Sequence, residues 1–253
     1  MISVCIATYN GGQFIKEQLD SILKQLTDED EIIVSDDGST DNTIPIISSY
    51  NDKRIKVYSH FKRPQKYIFS YTTANIKNAL SHAIGDTIFL ADQDDVWLPN
   101  KVNTMLKYCK EYDLVLADCS GVDTHLNLLY ESHFKLYDAK IGIIHNFIGP
   151  CCYLGSNMCF KHSFLEKIKS IPDNVPHDLW IGIMANLKGS MYLLNERTML
   201  YRRHNHNVSA LNNKILKIAT NRKGNIKKNN HTLGFKLKYR LDILFHLLKN
   251  FIC

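Results

Sequence analysis

Thr87-Ile88-Phe89-Leu90-Ala91-Asp92-Gln93-Asp94-Asp95 is an apolar run that stops on three carboxylates. Its β-branched and large apolar residues read as a strand, and the polar cluster marks where that strand ends. Three like charges this close repel, and such a cluster normally calls for a cation. Hard oxygen ligands suit Mg²⁺ or Mn²⁺. One or two carboxylates plus substrate phosphates is a usual way for a protein to hold such an ion. An isolated Asp-x-Asp reads as a solvated acidic loop. The position directly after a buried strand, with Trp97 following, raises the cation reading to equal standing.

The same grammar extends outward from this stretch. Ile2–Ala7 reads as a strand stopping at Thr8-Tyr9-Asn10-Gly11-Gly12, and Phe14, Ile15, Leu19, Ile22, Leu23 and Leu26 follow at helical spacing. Glu31–Ser35 is a second strand, stopping at Asp36-Asp37-Gly38-Ser39-Thr40, and Thr43–Ser49 suits a helix. A third strand is expected over Arg54–Ser59 and a helix around Ala74, Ile76, Leu80 and Ala83. Beyond the acid cluster, Pro99 stands at the first position of a helix running to about Lys110, and Asp113–Ala117 is a fifth strand. This alternation predicts an α/β fold, a Rossmann-like and mostly parallel sheet flanked by helices. In such sheets ligands bind beyond the carboxyl ends of the strands, so the clusters after Ala7, Ser35 and Ala91 should meet at one edge. After residue 120 the pattern loosens into short strands and loops as far as Gly155. Helices are expected near His162–Lys169 and His177–Lys188, and strands near Met191–Leu194 and Met199–Arg203.

With 253 residues, 45% of them hydrophobic, the chain can bury one generous α/β core. The net charge of +6 is unevenly spread: the stretch from Lys214 onward holds ten Lys and Arg against one acid, Asp242. The expected organisation is therefore a body over residues 1–211, with a nucleotide-binding half to about 120 and an acceptor half beyond it, followed by a basic tail over 212–253. Phe235, Leu237, Leu241, Leu244, Phe245, Leu248 and Ile252 recur at helical intervals among Lys236, Lys238, Arg240 and Lys249, which describes a basic amphipathic helix. Such a helix fits an anionic membrane surface, or packs on the body or on a homodimer partner. No aromatic-interleaved basic platform points to nucleic acid. The seven cysteines form no zinc-type pairing and mostly sit in apolar runs, as buried reduced thiols of a reducing, cytoplasmic compartment would. Met1–Ala7 lacks the basic start of a secretory leader, and Ile141–Phe160 carries too many polar and helix-breaking residues to span a membrane.

Asp36-Asp37 fits two chemistries: capping of the turn and helix that follow, or acceptance of a hydrogen bond from a pyrimidine N–H. Gly155-Ser156-Asn157 reads either as small residues shaping a pocket or as a buried turn. Several motifs are missing. There is no G-x-G-x-x-G, no phosphate-binding G-x-x-x-x-G-K-[ST], no G-x-S-x-G and no H-E-x-x-H. A sugar nucleotidyltransferase would show a basic Gly-rich loop after its first strand, whereas Tyr9-Asn10-Gly11-Gly12-Gln13 has no cation before Lys16.

Ser3-Val-Cys-Ile-Ala-Thr-Tyr-Asn10, Val34-Ser-Asp-Asp-Gly-Ser-Thr-Asp41 and Ala91-Asp-Gln-Asp-Asp-Val-Trp97 resemble, in order and spacing, the signatures of inverting family 2 glycosyltransferases of the GT-A fold. The resemblance covers about residues 1–205. The Asp-Gln-Asp-Asp-x-Trp form is similar to a bacterial branch that builds O-antigens and capsules, rhamnosyl- and glucosyltransferases among them. It implies transfer of a sugar from a UDP- or dTDP-sugar to a hydroxyl of a lipid-linked glycan acceptor, with Mn²⁺ or Mg²⁺, by an enzyme peripheral on the inner face of the cell membrane. A catalytically inactive domain of the same fold that binds glycan or lipid is the competing reading, and the intact acids stand against it.

Position by position, the resemblance implies that Thr8 and Tyr9 belong to the donor site, Tyr9 against the pyrimidine, and that Asp37 hydrogen-bonds the base. Asp92 would contact the ribose, and Asp94 the metal. In Pro176-His177-Asp178-Leu179-Trp180, Asp178 takes the place of the catalytic base. Tyr201-Arg202-Arg203-His204-Asn205-His206-Asn207 is similar to a C-terminal pattern of the branch, with His204 a further metal ligand and Arg202 or Arg203 meeting the diphosphate. One departure is Ala74 before Asn75, where many members carry Arg. It weakens any role of that helix in donor binding.

Overall fold

The computed structural model describes residues 1–148, 151–168, 170–205, 207 and 233–252, with side chains of the last helix from Arg240 to Lys249. The boundary expected at 211–212 and the first part of the basic tail lie outside the described residues. Strands β1 (Ile2–Thr8), β2 (Glu31–Asp36), β3 (Ile55–Ser59) and β4 (Thr87–Asp92) alternate with helices α1 (Ile15–Leu23), α2 (Thr43–Ser48) and α3 (Ile68–His82). β1 and β2 are buried almost throughout, as parallel strands covered on both faces must be. They pair in parallel in the order β3-β2-β1-β4, with Thr8 beside Asp36 and Ala7 beside Asp92. The polar ends of β1, β2 and β4 therefore do meet at one edge.

The second half of the sheet is mixed. β5 (Val96–Trp97) follows the acid loop, and α4 (Lys101–Cys109) starts two residues after Pro99, with Asn100 before it in the left-handed region at φ 68°. β6 (Leu114–Val122) does not pair with β4. The antiparallel strand β8 (Met158–Lys161) lies between them. The expected pair of strands at 191–203 is one continuous strand, β9 (Met191–Arg202). It runs parallel to β6 through register shifts at Ala117–Ser120, and its far end pairs with β5. β7 (Leu128–Tyr130) pairs with β6. α5 (His133–Tyr137) and α6 (Ile143–Ile148) are short helices where only loops and strands were expected. α7 (His162–Lys167) and α8 (His177–Lys188) lie where the apolar spacing puts them.

Two apolar layers cover the sheet. α1 and α4 close one face with Ile15, Leu19, Ile22, Val102 and Met105. α3, α7 and α8 close the other with Ile76, Leu80, Phe164 and Trp180. The last helix, α9 (Leu233–Ile252), joins this second layer through Ile243, which is wholly buried. Asp242 of α9 forms an ion pair with Lys66 at 2.8 Å and accepts from the Tyr67 hydroxyl at 2.7 Å. No helix among the described residues is long and apolar enough to cross a membrane. The described cysteines are free, and all but the half-buried Cys151 are buried.

Phe160 sits at the antiparallel joint, paired with Ile88 on one side and Leu114 on the other, with no exposed surface. Phe160→Ala should cost about 3–5 kcal/mol of stability, the usual range for a buried Phe truncation. Urea unfolding measures it, and a loss below about 1 kcal/mol would contradict this packing.

Candidate active site

The acid loop is held from below by β9. Asp92, Asp94 and Asp95 each offer an oxygen within 4.8 Å of the others. The antiparallel pairing of β5 with β9 brings Arg202 against this loop. The Arg202 amide donates to Asp95 Oδ1 at 3.0 Å, and its Nε to the Asp94 carbonyl at 2.7 Å. The guanidinium also donates to the Thr124 carbonyl at 2.7 Å and pairs with Glu17, while lying over the Phe14 ring. Arg202 is thus buried, and protein groups engage its Nε and both terminal nitrogens. Such a guanidinium braces the loop. Arg203 is also buried, donates to the Tyr201 hydroxyl at 2.6 Å and lies near enough to Asp92 to favour its charged form.

His204 Nε2 lies 2.7 Å from Asp94 Oδ2, and Asn207 donates to the same oxygen at 3.0 Å. His204 also stacks on Phe14. Burial, then the charges of Asp94 and Asp178, push the Asp92 carboxyl up to about 7. Asp95 is fully buried and its carboxyl is raised well above the ordinary range, by burial first and its two acidic neighbours next. Its Oδ2 has no hydrogen-bond partner among the described residues. Behind the loop stands Lys101, also fully buried. Its ammonium donates to Asn157 Oδ1 at 2.6 Å and to the Ser156 carbonyl at 3.2 Å. Burial lowers its pKa to about 7 against the pull of Asp95. Asn157 also donates to the carbonyls of Ala117 and Asp118, where β6 shifts register. The Gly155–Asn157 turn is therefore a buried brace. Three carboxylates, one of them with an unsatisfied buried oxygen, and an imidazole fit a hard divalent cation.

The neighbouring loops are tied to the acid loop and to each other. Gln93 and Tyr9 exchange hydrogen bonds: the Tyr9 amide donates to Gln93 at 2.9 Å, and the Gln93 amide donates back to the Tyr9 carbonyl at 3.2 Å. A Cβ at Gly11 would stand 2.2 Å from Gln93 Oε1, so a side chain there would push Gln93 from its place against Tyr9. The two acids after β2 separate. Asp36 accepts from the amides of Gly38 and Ser39 and from the hydroxyls of Thr8 and Ser39, with Gly38 at φ +78°. Asp37 lies 2.5 Å from His60 Nδ1. Burial raises the Asp37 carboxyl, with His60 pulling the other way. Asp36 thus holds the Gly38–Ser39 turn, the start of α2 is met by Asp41, which accepts from the Thr43 amide at 2.9 Å, and Asp37 faces His60. The Thr8 hydroxyl serves the Asp36 turn, and its carbonyl accepts from the Asp37 amide and Asn75. Tyr9 is half exposed, with Lys62 Nζ 3.5 Å from its ring centroid.

Asp178 stands in the first turn of α8, half buried, its Oδ1 accepting from the Leu179 amide at 2.7 Å. Its charge helps to raise the Asp92 carboxyl, so the two acids lie near one another. His177 beside it is held toward the neutral form by burial. A Cβ at Gly155 would meet His177 at 2.6 Å. Gln93 and Asn207 lay within motifs visible in the sequence but carried no assigned role there. His60, Lys62 and Glu17 had no sequence signal, because each comes from a segment remote from the acid loop, and Lys101, shortly after Asp95, reads as an ordinary residue of the helix after Pro99.

Residues 3–168 match the family model for glycosyl transferase family 2. A dTDP-rhamnosyl transferase, RfbG of Shigella flexneri, is 28% identical over 80% of this chain and 72% of its own. S. aureus TarS, solved in complex with UDP-GlcNAc, has the same fold at a TM-score of 0.63 and 20% identity, over 86% of this chain and 64% of that one. A mannosyltransferase from Pyrobaculum calidifontis, solved with GDP-Man and Mn²⁺, gives a TM-score of 0.57 at 19% identity, over 80% and 56%. The chain spans 57 to 66% of the length of the first curated relatives it matches.

The raised Asp92 carboxyl makes a pH prediction. A group raised on folding contributes stability that is full below its unfolded pKa of about 4 and lost as pH rises through about 7. Without divalent cation, Asp92→Asn should melt higher than the parent at pH 8, by about 5 °C, with the gain shrinking toward pH 5. A pH-independent difference in melting temperature would refute the charge repulsion.

Proposed function

The chain belongs to glycosyl transferase family 2, and from that premise we propose that it transfers a sugar, with inversion, from a pyrimidine nucleoside diphosphate sugar to a hydroxyl of a glycan acceptor carried on a lipid. The observation that carries this reading is the grouping of Asp92 and Asp94 with His204 at the end of β4, with Asp178 near enough to act on the Asp92 carboxyl. A donor of the UDP or dTDP type fits Asp37, a desolvated carboxylate oriented by His60 at a strand end, as the acceptor of a pyrimidine N–H. Tyr9 would lie against the base, with Asp92 toward the ribose.

In the reaction, the acceptor oxygen forms a bond to the anomeric carbon as the bond from that carbon to the diphosphate oxygen breaks. The hydroxyl proton passes to Asp178. One displacement inverts the centre. Asp94 and His204 would hold Mn²⁺ or Mg²⁺, which supplies Lewis-acid stabilisation of the leaving diphosphate. Arg203 adds positive charge beside Asp92, and Arg202 acts by keeping the acid loop in place. Asp95, fully buried and bound to the Arg202 amide, serves the same brace. O-antigen or capsule assembly at the inner face of the membrane, with the basic tail toward anionic lipid, is the setting this reading favours.

A thermal-shift screen of nucleotides and nucleotide sugars, with and without Mn²⁺, tests the donor. UDP or dTDP compounds should raise the melting temperature only with metal, and Asp94→Ala should abolish that dependence. Stabilisation by no nucleotide, or metal dependence that survives Asp94→Ala, sinks the reading. In turnover assays Asp178→Asn should lower kcat by about 10²–10⁴-fold with donor affinity kept. Wild-type kcat in that variant would remove Asp178 from the chemistry.

A further inference from the structure

α9 is apolar on two faces. Ile243 and Leu247 point inward, onto the layer that contains Trp180. Leu241, Leu244, Phe245 and Leu248 follow the i, i+3, i+4, i+7 spacing of a single stripe. That stripe points to solvent: Leu241 is 59%, Phe245 65% and Leu248 61% exposed. α6 repeats the pattern. Ile143 and Phe147 pack on the same inner layer, while Ile144 and Ile148 lie outward at 76% and 66% exposed. The two helices adjoin, since the Arg240 guanidinium lies over the Phe147 ring. Exposed apolar groups gathered this way mark an interaction surface.

We propose that the outer faces of α6 and α9 form one docking surface for an anionic lipid bilayer. The charge pattern selects this occupant. Lys249 is exposed beside Leu248, and the sole acid from Lys214 onward, Asp242, is turned toward the body and neutralised by Lys66. No carboxylate of α9 therefore opposes a negative surface, and the rest of that stretch adds basic residues. An apolar stripe with a cation at its edge and no opposing acid fits a helix lying in the headgroup region. The inner face links the surface to the chemistry. His246 of α9 meets the Trp180 ring edge-on and pairs with Asn174 at 2.8 Å, and Trp180 lies two residues after Asp178 on α8. A bilayer on this surface stands at the acceptor side of the site. The proposal rests, for that placement alone, on the reading of Asp178 as the acceptor-side base.

Flotation of the full chain with vesicles of phosphatidylglycerol and phosphatidylcholine, against phosphatidylcholine alone, tests it. The chain should bind the anionic vesicles, more weakly as salt rises. Ile144→Ser with Ile148→Ser, and separately Leu244→Ser with Leu248→Ser, should each lower the partition coefficient by about tenfold or more. Both variants should keep the parent melting temperature and its metal-dependent nucleotide shift, which shows that they fold. Unchanged binding of the α6 variant overturns the joint surface, as does absence of binding to anionic vesicles. A chain that is dimeric in solution, and that these substitutions turn monomeric, assigns the surface to a second copy and overturns the lipid. The flotation readout is independent of catalysis, so its failure leaves the glycosyltransferase reading standing, and a missing nucleotide shift leaves the lipid result standing.

Discussion

Three carboxylates crowded at the end of a buried strand repel one another in surroundings of low dielectric, and the far half of the molecule is organised around supplying their counter-charge. A buried charge is costly unless hydrogen bonds and an opposite charge meet it. Here Arg202 meets three acidic residues: its amide donates to the Asp95 carboxyl, its Nε to the Asp94 carbonyl, and its guanidinium pairs with Glu17. Lys101 stands behind them in full burial, tied to Asn157. Both cations depend on β9, which presents Arg202 directly and presents Thr198 to Asn157 at 2.9 Å. β9 can do so because it leaves β6 through register shifts and crosses to β5. The irregular stretch of sheet is therefore the part that serves the site. Burial first, and the uncompensated charges of Asp94 and Asp178 next, raise the Asp92 carboxyl.

The loops after β1 and β2 follow a different rule, since they are held by hydrogen bonds between loops. Asn10 takes a left-handed conformation at φ 49° and accepts from the Thr40 amide at 2.8 Å. Gly12 donates to Asp41 at 2.9 Å, and Gln93 bridges to Tyr9. The loops after β1, β2 and β4 are thus mutually tied before any ligand arrives. A site held this way loses less freedom on binding.

How much of this was legible varies with the range of the forces involved. β1, β2 and β4 could be read because each is buried along nearly its whole length and so must be a short apolar run ending in polar residues, and the half-exposed edge strand β3 by its alternation. The insertion of β8 between β4 and β6 could not, since strand order is decided by a crossover that leaves no local pattern. Two short strands were expected at 191–203 because Asn195, Glu196 and Arg197 break the apolar run. Those three are exposed in the middle of one long strand, at the place where pairing with β6 shifts register. Arg202 and Arg203 show a finer limit. Strand alternation sends neighbours to opposite faces, so the two could never share one role, but which of them meets the acids depends on where β5 lies. Asp36 and Asp37 divided for a similar reason: one reaches the local turn, and the other reaches His60, which is brought in by β3.

α9 shows what an amphipathic pattern leaves open. Among its described side chains the larger apolar stripe, Leu241 to Leu248, would be expected to seek the core, yet the narrower one with Ile243 and Leu247 is inside. Area alone favours the opposite choice. The difference lies in Asp242. It is placed where only the observed rotation lets it reach Lys66 and the Tyr67 hydroxyl, and His246 lies where only that rotation lets it reach Asn174. Turning the helix over would strand a carboxylate and an imidazole away from these partners and gain apolar burial in exchange. Directional groups on the narrow face thus decide an orientation that the hydrophobic effect, being non-directional, would not select. The stripe they leave outside is a consequence of that choice, which makes Asp242 the residue that determines which surface the helix presents.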